Sequence, residues 1–181
     1  VWPNSFRLSY GAGTEMSRYR NDTFRQFFTG GALETELYNS NLVFFKYAAF
    51  GQLSRSFIDE RLRLSFGLRT DANSYSSVMS NPLTQISPRL SASYALNSLV
   101  NLNFNVGRYY QLPPYTALGL KDNDGNYINK ENGLKYIAAD HIVGGVELIP
   151  DERLQFTLEG FYKKYSDYPF SVADQVPLST K

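Results

Sequence analysis

From Asp59 to Asp71 the chain reads DERLRLSFGLRTD, and Leu62, Leu64, Phe66 and Leu68 alternate with Arg61, Arg63, Ser65, Gly67 and Arg69. An extended backbone sends successive side chains to opposite faces, so the large apolar residues gather on one face and the charged ones on the other. Such a strand suits a sheet with an oily medium on one side and water on the other. A soluble sandwich strand alternates in the same way, so the argument turns on repetition.

The pattern repeats along the chain. Ser5 to Glu15 sets Phe6, Leu8, Tyr10 and Ala12 against Arg7, Ser9, Gly11 and Gly13. Leu42 to Ser56 sets Tyr47, Ala49, Gly51 and Leu53 against Ala48, Phe50, Gln52 and Ser54, two faces too alike to orient. Further strands are predicted over Gln85 to Leu96, Leu99 to Tyr110, Lys135 to Ile149 and Glu152 to Tyr165. Pro88 has no amide proton and predicts a bulge or weak pairing in the first of these. The connections alternate in length. Met16 to Asn41, Ala72 to Thr84 and Gln111 to Leu134 are long; Phe57–Ile58, Asn97–Ser98 and Pro150–Asp151 are short. Met16 to Asn41 is expected to be an irregular excursion, with a strand extension over Leu33 to Tyr38 left open.

Up-and-down outer-membrane barrels have short turns on one rim and longer loops on the other. The tyrosines agree: Tyr75, Tyr109, Tyr110, Tyr115, Tyr162, Tyr165 and Tyr168 fall at the long-loop ends, where amphipathic rings favour a membrane interface. The expected fold is therefore all-β, an antiparallel up-and-down meander of about seven strands that is part of a large outer-membrane β-barrel. Residues 1–181 form one partial barrel domain in this reading. An odd strand number does not suit closure, and about seven strands is close to a third of a 22-stranded plugged transporter.

Composition narrows the function classes. The chain has 181 residues, a formal net charge of +1 and no cysteine. Near-neutrality gives no electrostatic preference for nucleic acid. No apolar run approaches the roughly 18 residues of a membrane-spanning helix, a test that spanning strands escape because they need only about 9 to 11 residues each. Val1 does not open a signal peptide.

Five segments carry a family resemblance: GLRTD at Gly67 to Asp71, ISPRLSASY at Ile86 to Tyr94, NVGRYYQLP at Asn105 to Pro113, ADHIVGGVEL at Ala139 to Leu148, and LEGFYKKYSDYP at Leu158 to Pro169. In order and spacing the chain from Leu42 onward resembles consecutive barrel strands of TonB-dependent outer-membrane receptors, particularly those of Bacteroidetes. The resemblance implies the cell outer membrane, contact with its lipid, and active uptake of an unidentified ligand such as a glycan or siderophore. It also implies a plug domain in the same receptor and, through it, TonB. No plug precedes Val1 and Lys181 is not a terminal aromatic, so this piece alone is not expected to transport.

Arg61, Arg63, Arg69, Asp71, Arg89, Glu147 and Glu159 are the candidate lumen-facing residues; complementary charges on a hydrated wall are the favoured reading over a ligand route. Tyr109, Tyr110 and Tyr115 are candidate loop contacts for a ligand, with an interface girdle as the favoured alternative. DNDGN at Asp122 to Asn126 spaces carboxylates as calcium loops do, but no bidentate acid follows at the right distance, Glu131 being too early, so an Asp-Gly turn is expected. His141 is the only histidine, which leaves no metal site, no catalytic constellation and no cofactor to assign. No enzyme is expected. Two alternatives remain open: a soluble or secreted β-sheet domain that binds a partner or glycan through aromatic loops, and a passive outer-membrane pore. Without lipid, open edges and an apolar stripe would drive the fragment to self-associate.

Overall fold

The computed structural model describes residues 6–121, 124–151, 153–171 and 176–177. Seven antiparallel strands follow one another in sequence order in a single curled sheet. They are β1 (Arg7–Thr29), β2 (Ala32–Phe57), β3 (Leu62–Asn73), β4 (Ile86–Ala95), β5 (Val100–Gln111), β6 (Ile137–Asp151) and β7 (Leu154–Ser166). A separate two-residue ladder joins Phe170–Ser171 to Val176–Pro177. Ser5, Glu152 and the Asp122 that opens DNDGN lie outside the described residues.

The alternation read from the sequence becomes two opposed faces. One register row crosses all seven strands through Leu8, Leu53, Phe66, Leu90, Val106, Ile142 and Tyr162. The next row, one residue along each strand and on the other face, is Ser9, Gln52, Gly67, Arg89, Gly107, His141 and Lys163. β2 is thereby oriented: Tyr47, Ala49, Gly51 and Leu53 share the apolar face. The apolar face is not covered, since Leu8 is 63% exposed, Phe66 49% and Leu158 78%.

The first long connection differs from expectation. Met16 to Asn41 is not an irregular excursion but the upper part of an uninterrupted β1–β2 ladder, in register from Arg7↔Ser54 to Thr29↔Ala32. Gly30 and Gly31 close it, with φ of +60° and +88°. Positive φ at both central residues is what a tight hairpin turn requires and what glycine alone adopts without a steric penalty. The mixed polar and aromatic composition of this stretch offers no regular period of two, although its backbone pairs throughout.

The other two long connections contain short helices: α1 (Ser77–Ser80) and a 3-10 turn (Pro82–Gln85) after β3, then α2 (Tyr115–Leu118) and α3 (Ile128–Glu131) after β5. Ser76 and Asn81 cap the first two, accepting from the amides of Met79 at 3.3 Å and Leu83 at 3.0 Å. Two of the short turns are longer than read: Phe57 ends β2, with Ile58, Asp59 and Glu60 all at positive φ before Arg61, and β4 ends at Ala95 before β5 starts at Val100; the third is shifted, since Pro150 and Asp151 belong to β6. Asp59 to Arg61 thus belong to the turn and not to the strand. Pro88 stays in register with Leu68 on β3, while the ladder to β5 begins one residue later at Arg89↔Gly107. The Leu96–Val100 bond fixes the even-numbered residues of β4 as those that bond to β5, so Pro88 faces that strand and its missing amide proton falls where the ladder stops, the weak pairing expected there.

Candidate functional site

The buried residues are not inside the sheet but at its long-loop end. Leu42, Phe44, Tyr75, Met79, Leu118 and Tyr136 form one cluster, with Met79 and Leu118 fully buried. β2 contributes the first two, the β3–β4 connection the next two, and the β5–β6 connection the last two. Burying apolar surface between connections turns separate loops into one cap, at roughly 1.5–3 kcal/mol for each large side chain fully removed from water.

Asn73, Tyr75 and Tyr136 match their polar groups inside the cap, whereas the buried Ser40 hydroxyl beside Gly119 has no partner among the described residues. Asn73 donates to the Tyr136 hydroxyl at 2.8 Å and accepts from the Tyr75 amide at 2.9 Å. The Tyr75 hydroxyl donates to the Leu118 carbonyl at 2.7 Å. Burial pushes the Tyr136 hydroxyl above its ordinary range, and the Asn73 contact only partly opposes this. Tyr75, expected near a membrane interface, is 4% exposed and belongs to this interior instead.

Below the cap lies an open cavity of about 480 Å³, lined among others by Glu15, Lys46, Phe50, Arg69, Asp71 and Tyr136. Its charges are paired. The Lys46 ammonium lies 2.7 Å from Glu15, and Arg69 forks onto Asp71 at 2.8 and 2.6 Å. Lys46 also donates to the Tyr115 hydroxyl at 3.1 Å, which donates to Ser17 at 3.3 Å. Tyr115 packs edge-on to Phe44, with ring centroids 5.8 Å apart, so α2 is fastened to the β1–β2 ladder by both packing and hydrogen bonds.

The remaining sequence candidates separate into distinct places. Arg63, Arg69, Asp71, Arg89, Glu147 and Glu159 share the polar face by register. Arg61 does not stand in the wall: from the β2–β3 turn it donates to the carbonyls of Ala95 at 3.1 Å and Leu96 at 2.6 Å, tying two turns together. Glu147 accepts from Asn101 at 2.9 Å and also from Gln155. Tyr109 stacks against His141 with centroids 4.6 Å apart, and the Arg89 guanidinium lies 4.4 Å from its centroid. Tyr110 packs against the cap cluster. Gly125 takes a φ of +86°, as a turn at this position requires. The residues that pattern reasoning missed are Phe44, Asn73, Met79, Leu118 and Tyr136. None sits in a motif, and only their mutual packing reveals them.

Among the described residues no group of three His, Cys, Asp or Glu side chains is placed to hold a metal ion. No curated protein matches the chain. Among solved structures it is similar to one titled "Copper transporter OprC", at 22% identity and a TM-score of 0.63, over 93% of this chain and 29% of that one. The chain therefore spans less than a third of that neighbour's length, and the likeness is one of fold. A family model described as "TonB dependent receptor-like, beta-barrel" matches residues 1–180. With its alternating strands, its uncovered apolar face and this match along nearly its whole length, the chain belongs to the TonB-dependent receptor family as a segment of the β-barrel.

Proposed function

We propose that this segment is part of the wall of a receptor that draws a ligand across the outer membrane. A plug in the same receptor fills the lumen, and TonB supplies the energy. The apolar face meets lipid and the polar face lines the lumen. The observation that carries this reading is the pair of adjacent register rows, one apolar through all seven strands and one polar. Large apolar patches open to solvent mark protein or membrane contacts, and here the patch runs the width of the sheet. β3 to β7 have 10 to 15 residues each, enough for a tilted strand to cross a bilayer.

Arg63, Arg69, Asp71, Arg89, Glu147 and Glu159 then face the lumen, and the cavity under the cap lies on the ligand's route. Tyr109 lines that route, whereas Tyr115 holds the cap. For the copper named in the structural neighbour's title, no three His, Cys, Asp or Glu side chains gather among the described residues of this segment. The family is one of receptors and transporters, not of enzymes.

Single cysteines in the full-length receptor, labelled with an environment-sensitive dye in lipid vesicles, test the wall. The segment itself has no cysteine to interfere. Labels at Phe66→Cys, Leu102→Cys and Leu158→Cys should be quenched by lipid-borne quenchers, and those at Ser65→Cys, Asn103→Cys and Thr157→Cys by aqueous ones. The reverse pattern, or aqueous quenching at all six, would remove the reading.

A further inference from the structure

The polar wall treats its cations unequally. On β2 and β3, Lys46 and Arg69 each hold a carboxylate, Glu15 at 2.7 Å and Asp71 at 2.6 Å. On β4, Arg89 holds none among the described residues; its partner is the Tyr109 ring at 4.4 Å. Its Nε is covered and unpaired, as is Nε2 of His141 on the other side of Gly107 in the same row. An Nε shut off from water with no acceptor, on a side chain that is otherwise half-buried, leaves the guanidinium short of a partner.

The surroundings of Arg89 are shaped for the missing group. Its two row neighbours are Gly67 and Gly107, so no side chain stands on either side of it. A Cβ added at Gly107 would come within 3.1 Å of the Arg89 side chain. One row toward the short turns lie Ser65, Ser91 and Asn105, in register with one another. Together with Gln52, Arg89 and Tyr109 they line a cleft of about 120 Å³. The cleft has hydroxyl and amide donors, one planar cation oriented by stacking, and no acidic side chain.

We propose that this cleft is an anion subsite that takes a carboxylate. The two terminal amino groups of Arg89 bind it end-on, as a planar fork matches a planar acceptor, and Ser91 and Asn105 donate to its flanks. Tyr109 holds the plane of the guanidinium while His141 backs the ring. The subsite rests on the reading of this face as the lumen wall. The carboxylate comes either from a side chain of the plug or from a small ligand.

Full-length receptor in detergent, titrated calorimetrically with malonate and followed by hydrogen exchange of its plug, separates the two sources. For a ligand subsite, malonate binds the wild type, Arg89→Gln weakens it by about tenfold or more, and Arg89→Lys is intermediate. For a plug carboxylate, malonate does not bind the wild type, and Arg89→Gln speeds exchange in one plug segment by about tenfold or more. Ser91→Val fills the cleft but leaves Arg89 in place, and it should reproduce either effect if Arg89→Gln does not fold. Folded Arg89→Gln and Ser91→Val receptors unchanged in both measurements would overturn the subsite. The cysteine-labelling pattern tests the wall separately, so its failure is distinguishable from that of the subsite.

Discussion

Phe104→Arg on β5 is the sharpest test of which side of the sheet is oily. Phe104 lies midway between Val100, at the short-turn end, and Arg108, where the outward face becomes charged. A strand of 12 residues is roughly 40 Å long, and a tilt near 45° brings its height close to a bilayer's hydrocarbon core. Position 104 is thus near the midplane. Its register neighbours are Ala92 and Gly144, which offer neither bulk nor charge to an incoming guanidinium. Asp140, the acid that shares this face, is already forked by Arg108 at 2.7 and 2.8 Å. With no partner, the arginine should carry the full midplane penalty of about 2–4 kcal/mol, or about 30- to 700-fold in the folding equilibrium. Val100→Arg, nearer the rim, should cost at most about 1 kcal/mol, and Asn103→Arg on the polar face should change little. The assay is reversible denaturant unfolding of the full-length receptor in phospholipid vesicles, with midpoints and slopes compared across the three variants. Equal effects at 103 and 104, or a larger one at 103, would refute the assignment of faces.

Three further outcomes follow from the cap and the hairpin. Asn73→Ala strands the Tyr136 hydroxyl and the Tyr75 amide inside the cap, and should lower its local stability by about 1–3 kcal/mol, read as faster proteolysis of the β3–β4 and β5–β6 connections. Because burial makes the folded cap hold the Tyr136 proton more tightly than the unfolded chain does, the stability tied to the neutral phenol is complete below pH 10 and is lost as pH rises through the raised value. Amide exchange in the cap should therefore accelerate in alkali, and Tyr136→Phe should flatten the profile. Gly31→Val forces a β-branched residue to φ near +88° and should fray the tip of the β1–β2 ladder by about 1–2 kcal/mol, seen as exchange confined to residues near the turn.

Strand number, order and face were legible wherever one side of the strand meets an apolar medium, because that medium imposes a period of two. β3 and β5 show this most clearly: every second residue from Leu62 to Leu68 and from Val100 to Val106 is large and apolar. The same logic failed above Met16 and Leu42. There the β1–β2 ladder continues through a stretch without regular apolar alternation, and the Gly30–Gly31 pair, read as loop punctuation, is its turn. The cap was illegible for another reason. Leu42, Tyr75, Leu118 and Tyr136 are scattered over β2 and two connections, and nothing local marks them as neighbours. Arg61 shows the limit of alternation itself, since its parity fits the polar face but the left-handed residues before it take it out of the strand.

The β1–β2 ladder runs for 23 and 26 residues, although β2 loses its β3 neighbour beyond Lys46↔Asn73. Beyond the cap contacts at Leu42 and Phe44 the two strands continue as a ribbon paired only with each other, and two strands alone are only marginally stable in water. Protection against hydrogen exchange should fall steadily from its root beside the cap to Gly30, so the ribbon would melt from its tip downward as temperature rises while the rest of the sheet stays intact.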